Sequence, residues 1–385
     1  MRDKTIDILR GIGIISVVAG HARGSLGIDI FPVYSFHMPL FFFISGLFFK
    51  EEHIESIPSI LHKICLKILA PAVLFLLIYD VLISCVLNKI GYSHLWGEIS
   101  IAPIKTLFLY GGQFSAAYWF ISCYSCVYMY FAIFHCRIFK YLHSNILQNL
   151  KSSQIQLLFL GLYFLLAYLA LRGSLALYDG KTGHEMWVVA YFNHFTIITI
   201  RCLFAFFFYY IGFLFSRFKI MNYIDGKISF ALLFITYISQ GLLFKNSSIS
   251  FSMQIMHFNN SYSPILTSLL AILFFFTISK IITNIDISKY IAFLGKNTYA
   301  ILLHHIFGFM VLNIIFVAFG LVEKENVTSQ YYEISPGYTN YLYIITGIVF
   351  SLFIASFHKK ISRYFSQKIK YFTHEKFWEL HSSVD

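Results

Sequence analysis

The chain has 385 residues; 58% are hydrophobic, 44 are Phe, and only 12% are charged, about half the charged share of an ordinary soluble domain. So much apolar surface, spread along the whole chain, excludes a soluble globular protein and reads as an all-α, polytopic integral membrane protein. The net charge of +11 would suit nucleic acid, but the apolar bulk leaves no soluble domain to use it, so no nucleic-acid partner is expected.

Apolar stretches of about 17–25 residues read as membrane spans. Ten occur, at 6–22, 33–49, 66–87, 115–135, 154–172, 194–215, 228–244, 263–283, 297–319 and 338–357. The first follows Met1-Arg2-Asp3-Lys4, a basic start like that of a signal peptide. It lacks a small-x-small cleavage site and is expected to stay uncleaved. Arg10 and His21 stand at its two ends. Eleven positions at about 100° each end some 20° beyond three full turns, so both side chains share a face about 16 Å apart along the axis. That excludes a direct ion pair, but the helix can hold the two ends of one long ligand. Asp7, three residues before Arg10, is the alternative partner for the guanidinium.

His37 precedes Met38-Pro39 at the entry of the second span. Proline leaves a backbone carbonyl to be satisfied inside the bundle, so this segment should pack internally near the depth of His21. Lys63 and Lys67 flank the entry of the third span. Cys123 and Cys126 have metal-like spacing, but no second ligand pair follows, and they read as packing residues; no metal site is expected. The longer loops are 88–114, 173–193 and 320–337. The second offers Glu185 with Trp187, a carboxylate and an aromatic face that suit a sugar, or else an ordinary loop with an interfacial Trp. Arg201 lies about two turns into the sixth span and should face a wet cavity or the bundle interior, with snorkelling as the alternative. His304 and His305 diverge by about 100°, so only one can face a cavity squarely.

Of the 29 Lys and Arg, 20 fall on the termini and even-numbered loops, 7 on the odd-numbered loops, and Arg10 and Arg201 within spans. This positive-inside bias predicts that both termini are cytoplasmic. The expected organisation is one membrane domain, residues 1–358, and a basic cytoplasmic tail, 359–385, lying against anionic membrane lipids.

Arg10 and His21 eleven apart, followed by His37-Met38-Pro39-Leu40-Phe41-Phe42-Phe43-Ile44-Ser45-Gly46, resemble the membrane-bound acyltransferase-3 family. The segment from Lys63 to Pro71 is similar to that family's basic entry to the third helix, although arginines are commoner there. Tyr118-Trp119-Phe120 resembles its Trp-Phe-Leu signature. Gly295-Lys296-Asn297-Thr298 with His304-His305 resembles its late Gly-Lys-Asn-Ser/Thr…His element, in which His305 takes the family's place. The resemblance runs over roughly residues 5 to 355. It implies a bacterial inner-membrane enzyme that moves acetyl from acetyl-CoA, a co-substrate rather than a bound cofactor, to hydroxyls of a surface glycan or its lipid-linked precursor.

Such chemistry needs a base, donors for an oxyanion and a grip on the donor. His21 suits the base, since imidazole titrates at about 6.5; direct attack by His21 through an acyl-histidine stays open. His37 would orient the acceptor or relay its proton. Arg10 would grip the donor, with Lys63 and Lys67 drawing its phosphates. Arg201, Trp119 and Glu185 are the candidates for the acceptor or oxyanion. The rivals are a glycan flippase or transporter, which would commonly show internal repeats, and a glycan polymerase, which would need a large external loop.

Overall fold

The computed structural model describes residues 3–51, 56–91, 114–246, 249–327 and 339–381, with side chains described as far as 360 in the last segment. Every extended regular element among them is a helix; Ser252 and His257 form an isolated antiparallel bridge. In chain order the principal helices are α1 Lys4–His21, α2 His37–Leu47, α3 Ile57–Leu87, α4 Trp119–Ile146, α5 Ser152–Leu177, α6 His184–Phe192, α7 His194–Arg217, α8 Gly226–Asn246, α9 Ser263–Ile281, α10 Ser288–Lys296, α11 Thr298–Ala318 and α12 Thr339–His381. Among the described residues, eight are long and apolar enough to cross a membrane: α3, α4, α5, α7, α8, α9, α11 and α12. The protein is an all-α polytopic membrane protein.

The first two expected spans have a different character. The stretch 33–49 forms a 3₁₀ turn, Val33–Ser35, and the 11-residue α2. At about 1.5 Å per residue α2 is about 16 Å long, against a hydrocarbon core of about 30 Å. Helix α1 has 18 residues but carries Lys4, Asp7 and Arg10. Both are buried on nearly every face, whereas α8 and α12 turn most of their surface outward. A charged helix and a half-length one are tolerated because protein, rather than lipid, surrounds them.

Glycines set how closely the centre packs. A Cβ on Gly46 would lie 1.9 Å from the Tyr209 carbonyl oxygen, and one on Gly212 equally close to that of Phe43, so α2 and α7 cross backbone to backbone. A Cβ on Gly295 would lie 1.9 Å from the Asp7 carbonyl oxygen, and one on Gly11 2.1 Å from that of Ile291, which clamps α10 onto α1. Small residues allow such approach where lipid offers no hydrophobic drive between helices.

Helix α3 contains two widened turns, Ile64–Leu69 and Leu77–Ile83. Pro71 follows the first; it lacks an N–H and its ring crowds the preceding turn, which the wider winding relieves. Most of 88–114 and 320–337 lies outside the described residues. Helix α12 continues through residue 381, so the backbone of the expected tail is helical as far as that point.

Candidate active site

Helix α1 begins on Asp3, whose side chain accepts the Thr5 N–H at 2.8 Å. It ends where Arg23 adopts a φ of 50° and the Gly24 N–H returns to the Ala19 carbonyl at 2.8 Å. His21 is thus left half-buried on the last turn. Its ring centroid is 5.2 Å from that of His305 on α11. His37 opens α2 with Nδ1 at 2.5 Å from the Val33 carbonyl oxygen, and the Tyr34 ring meets it edge-on at 5.2 Å. The loop carrying both is pinned from outside. Gln240 donates to the Ile30 carbonyl at 3.0 Å, and the Ser268 hydroxyl to that of Ser35 at 2.9 Å.

His305 Nδ1 lies 2.8 Å from the Ile301 carbonyl oxygen, and its Nε2 is buried with no hydrogen-bond partner. A carbonyl can only accept, so in His37 and His305 alike Nδ1 holds the proton and Nε2 keeps its lone pair. His304 faces the other way. Its Nδ1 is 2.8 Å from the Tyr79 hydroxyl, and the Phe75 ring stands edge-on at 4.5 Å. Of the adjacent pair, His305 is therefore the one whose ring meets His21, whereas His304 turns towards α3. His21, His37, Tyr34, Trp119, Met253 and Gln254 line a pocket of about 30 Å³.

Arg201 does not snorkel. It is 1% exposed, with its guanidinium 4.6 Å above the Trp119 ring. Nε donates to the Met253 carbonyl at 3.2 Å and Nη2 to that of Gln254. Ser174 and Tyr178 of the α5 end donate to the Met256 and Ile255 carbonyls. Ser252 and His257 exchange backbone bonds at 3.0 and 2.9 Å, and Met256 between them has a φ of 55°. The segment 249–258 is thereby folded into a strap whose buried carbonyls are satisfied by side chains, and it carries Met253 and Gln254 into the pocket. Arg201 acts as the buckle of that strap.

A second cavity, about 250 Å³ in volume, lies towards the Arg10 end of α1; Ser45, Phe48, Lys50, Lys63, Tyr124 and Tyr128 are among its walls. The Arg10 guanidinium sits 5.7 Å from the Phe48 ring centroid. Lys63 Nζ is 3.3 Å from the Tyr128 hydroxyl and 5.5 Å from the centre of that ring. Lys67 is exposed and outside this wall. The widened turn Ile64–Leu69 breaks the i, i+4 register that would align it with Lys63. Between the two cavities runs an aromatic ladder on α4. Phe120 stacks on Tyr124 at 6.1 Å, Tyr124 on Tyr128 at 6.2 Å, and Trp119 meets Phe120 edge-on at 6.3 Å.

Glu185 is exposed on α6, accepting the Thr182 N–H at 3.3 Å, and lines neither cavity. Tyr118 is a tie rather than a wall, its hydroxyl donating to the Leu303 carbonyl at 2.7 Å. The structure thus brings His21, His37, His305, Trp119 and Arg201 to one end, and Arg10 and Lys63 to the other. Sequence reasoning missed Tyr124 and Tyr128, although their four-residue steps from Phe120 were a readable signal. It also missed Gln254, for which no signal existed. Compared with known protein families, residues 3–363 match the model of an acyltransferase domain. No curated protein and no solved structure matches.

Proposed function

Because the chain belongs to the acyltransferase-3 family, whose domain spans residues 3–363, and is a multi-pass membrane acyltransferase, we propose that it carries acetyl from cytoplasmic acetyl-CoA to a hydroxyl of a surface polysaccharide or its lipid-linked precursor, in a bacterial inner membrane. One observation carries this reading: a cationic cavity at one end of α1 is joined by an aromatic ladder to a small histidine-lined pocket at the other. With both termini inside, the Arg10 cavity faces the cytoplasm, where the donor's phosphates meet Arg10, Lys50 and Lys63. The pantetheine arm then follows Tyr128, Tyr124 and Phe120 along the roughly 16 Å that separates Arg10 from His21. The small pocket of about 30 Å³ favours a short acyl group such as acetyl.

In this mechanism His21 takes the proton of the acceptor hydroxyl as its oxygen attacks the thioester carbonyl. The tetrahedral oxyanion is met by a donor such as the Gln254 amide of the strap. Collapse breaks the carbon–sulfur bond, and the thiolate of coenzyme A takes the proton from His21. His305, whose Nε2 has no hydrogen-bond partner, and His37, whose Nδ1 is held by the Val33 carbonyl, keep the His21 proton and the acceptor hydroxyl oriented. The test is transfer of label from acetyl-CoA, radiolabelled in its acetyl group, to glycan in membranes holding the wild type or His21→Ala. Label in the first and none in the second supports the reading. Movement of unmodified glycan across the membrane without acetylation would replace it with a transporter.

A further inference from the structure

Away from both cavities, a groove of about 550 Å³ opens on the outside of the bundle between α3, α11 and α12. One small residue from each helix makes the room: Ala70, Ala300 and Ala355. The remaining wall is mostly hydrocarbon, running along α3 from Leu66 to Phe75, nine helical steps or about 13 Å parallel to the helix axis. One end is polar, formed by His358 and the charged Lys359 of α12, both exposed, with Lys360 exposed beside them. The opposite end stops at His304, whose imidazole is already engaged by Tyr79. No carboxylate lines the groove among the described residues.

We propose that this groove is a binding site for one anionic phospholipid, with an acyl chain between the three helices and the phosphate against His358 and Lys359. All three helices are long and apolar enough to cross a membrane, so a recess between them that opens outward meets hydrocarbon rather than water and gains by being filled with it. The polarity is graded as in a lipid: a lysine at one end only, and a mostly apolar wall along the rest, where the His304 imidazole is engaged by Tyr79 and the Tyr299 hydroxyl by the Ile68 carbonyl. A phosphate near Lys359 gains charge-assisted hydrogen bonds, as basic residues at a membrane surface do with anionic headgroups. A free phosphate would satisfy the cations and leave the apolar recess empty, so the source is a lipid. The bound chain would also wall off His304, the neighbour of His305, from the moving lipid outside.

Native mass spectrometry of the protein in mild detergent tests this, with phosphatidylglycerol, phosphatidylethanolamine of identical chains, or inorganic phosphate added. The expected result is one phosphatidylglycerol retained per chain, about tenfold more tightly than phosphatidylethanolamine. Inorganic phosphate should not displace it. The His358→Gln/Lys359→Gln double variant should abolish the headgroup preference while keeping chain binding. Ala300→Phe and Ala355→Phe fill the recess and should each lower retention of both lipids at least tenfold, with the thermal transition checked to confirm folding. If Ala300→Phe misfolds, Ala355→Phe on the outward-facing α12 still decides the matter. Equal retention of the two lipids by the wild type, displacement by inorganic phosphate, or unchanged retention in a folded groove-filled variant would overturn the proposal.

Discussion

Arg10→Lys and His21→Ala should damage different kinetic parameters. Lysine keeps the charge of Arg10 but loses the planar fork that binds phosphate through two parallel bonds, together with the guanidinium's stack on Phe48 at 5.7 Å. A hydrogen bond to a charged group contributes about 1.5–3 kcal/mol, and each ~1.4 kcal/mol is tenfold. The KM for acetyl-CoA should therefore rise roughly 10–100-fold while kcat is nearly kept. His21→Ala leaves the donor cavity intact and removes a base worth about 10²–10⁴-fold in rate. Its kcat should fall by that factor, and no excess of donor should restore it. The two sites are about 16 Å apart on one rigid helix, so the double variant should combine both losses to within about 0.5 kcal/mol. The assay is the initial rate of acetyl transfer against acetyl-CoA concentration, in membranes matched for protein abundance. A fall in kcat with unchanged KM in Arg10→Lys would refute the division of labour and place Arg10 in the reacting site or in helix packing.

His305→Ala should cut transfer at least tenfold, whereas His304→Phe should lose only the Tyr79 bond, about 1 kcal/mol of stability; transfer rates and thermal transitions of the two variants separate these outcomes. Gly46→Leu forces α2 away from the Tyr209 carbonyl, and overpacking of this kind costs about 1–3 kcal/mol or more, so the variant should show reduced abundance in membranes by immunoblot. Arg201→Met strips the donors from the Met253 and Gln254 carbonyls, each orphan costing about 1–3 kcal/mol; it should lower the thermal transition and raise the acceptor KM before the donor KM. Reporter fusions at the C-terminus should score cytoplasmic and fusions within 173–193 external, as the charge bias requires.

What could be read from sequence followed the regularity of the helix. Arg10 and His21 share a face by geometry alone, and the eight long apolar helices stand near where composition places them. Lys67, assigned to the donor from its place at the entry of the third span, stands outside the donor cavity because α3 is not wound regularly next to Pro71. The choice of His305 over His304 depends on how α11 is carried towards α1, which the Gly11–Gly295 contact helps to set across a long interval of sequence. The stretch 33–49 has a span's composition but half its length in α-helix, because hydropathy cannot tell a lipid neighbour from a protein one. Gln254 was beyond reach altogether: its place depends on Arg201, Ser174 and Tyr178 gripping bare carbonyls, and backbone acceptors leave no trace in residue identity.

The burial of α1 has a consequence for biogenesis. Gly11 and Gly295 are 284 positions apart, and at about 5–20 residues per second the ribosome needs roughly 15 s to a minute to deliver α10 once α1 has been made. Throughout that interval a helix bearing Asp7 and Arg10 lacks the glycine-lined face of α10 that will enclose it. Lipid is a poor resting place for it, so α1 must be sheltered by the insertion machinery or wait at the membrane surface. The helix that carries both Arg10 and His21 is made early and enclosed late, and a slow step in maturation should track the arrival of α10 rather than the insertion of α1.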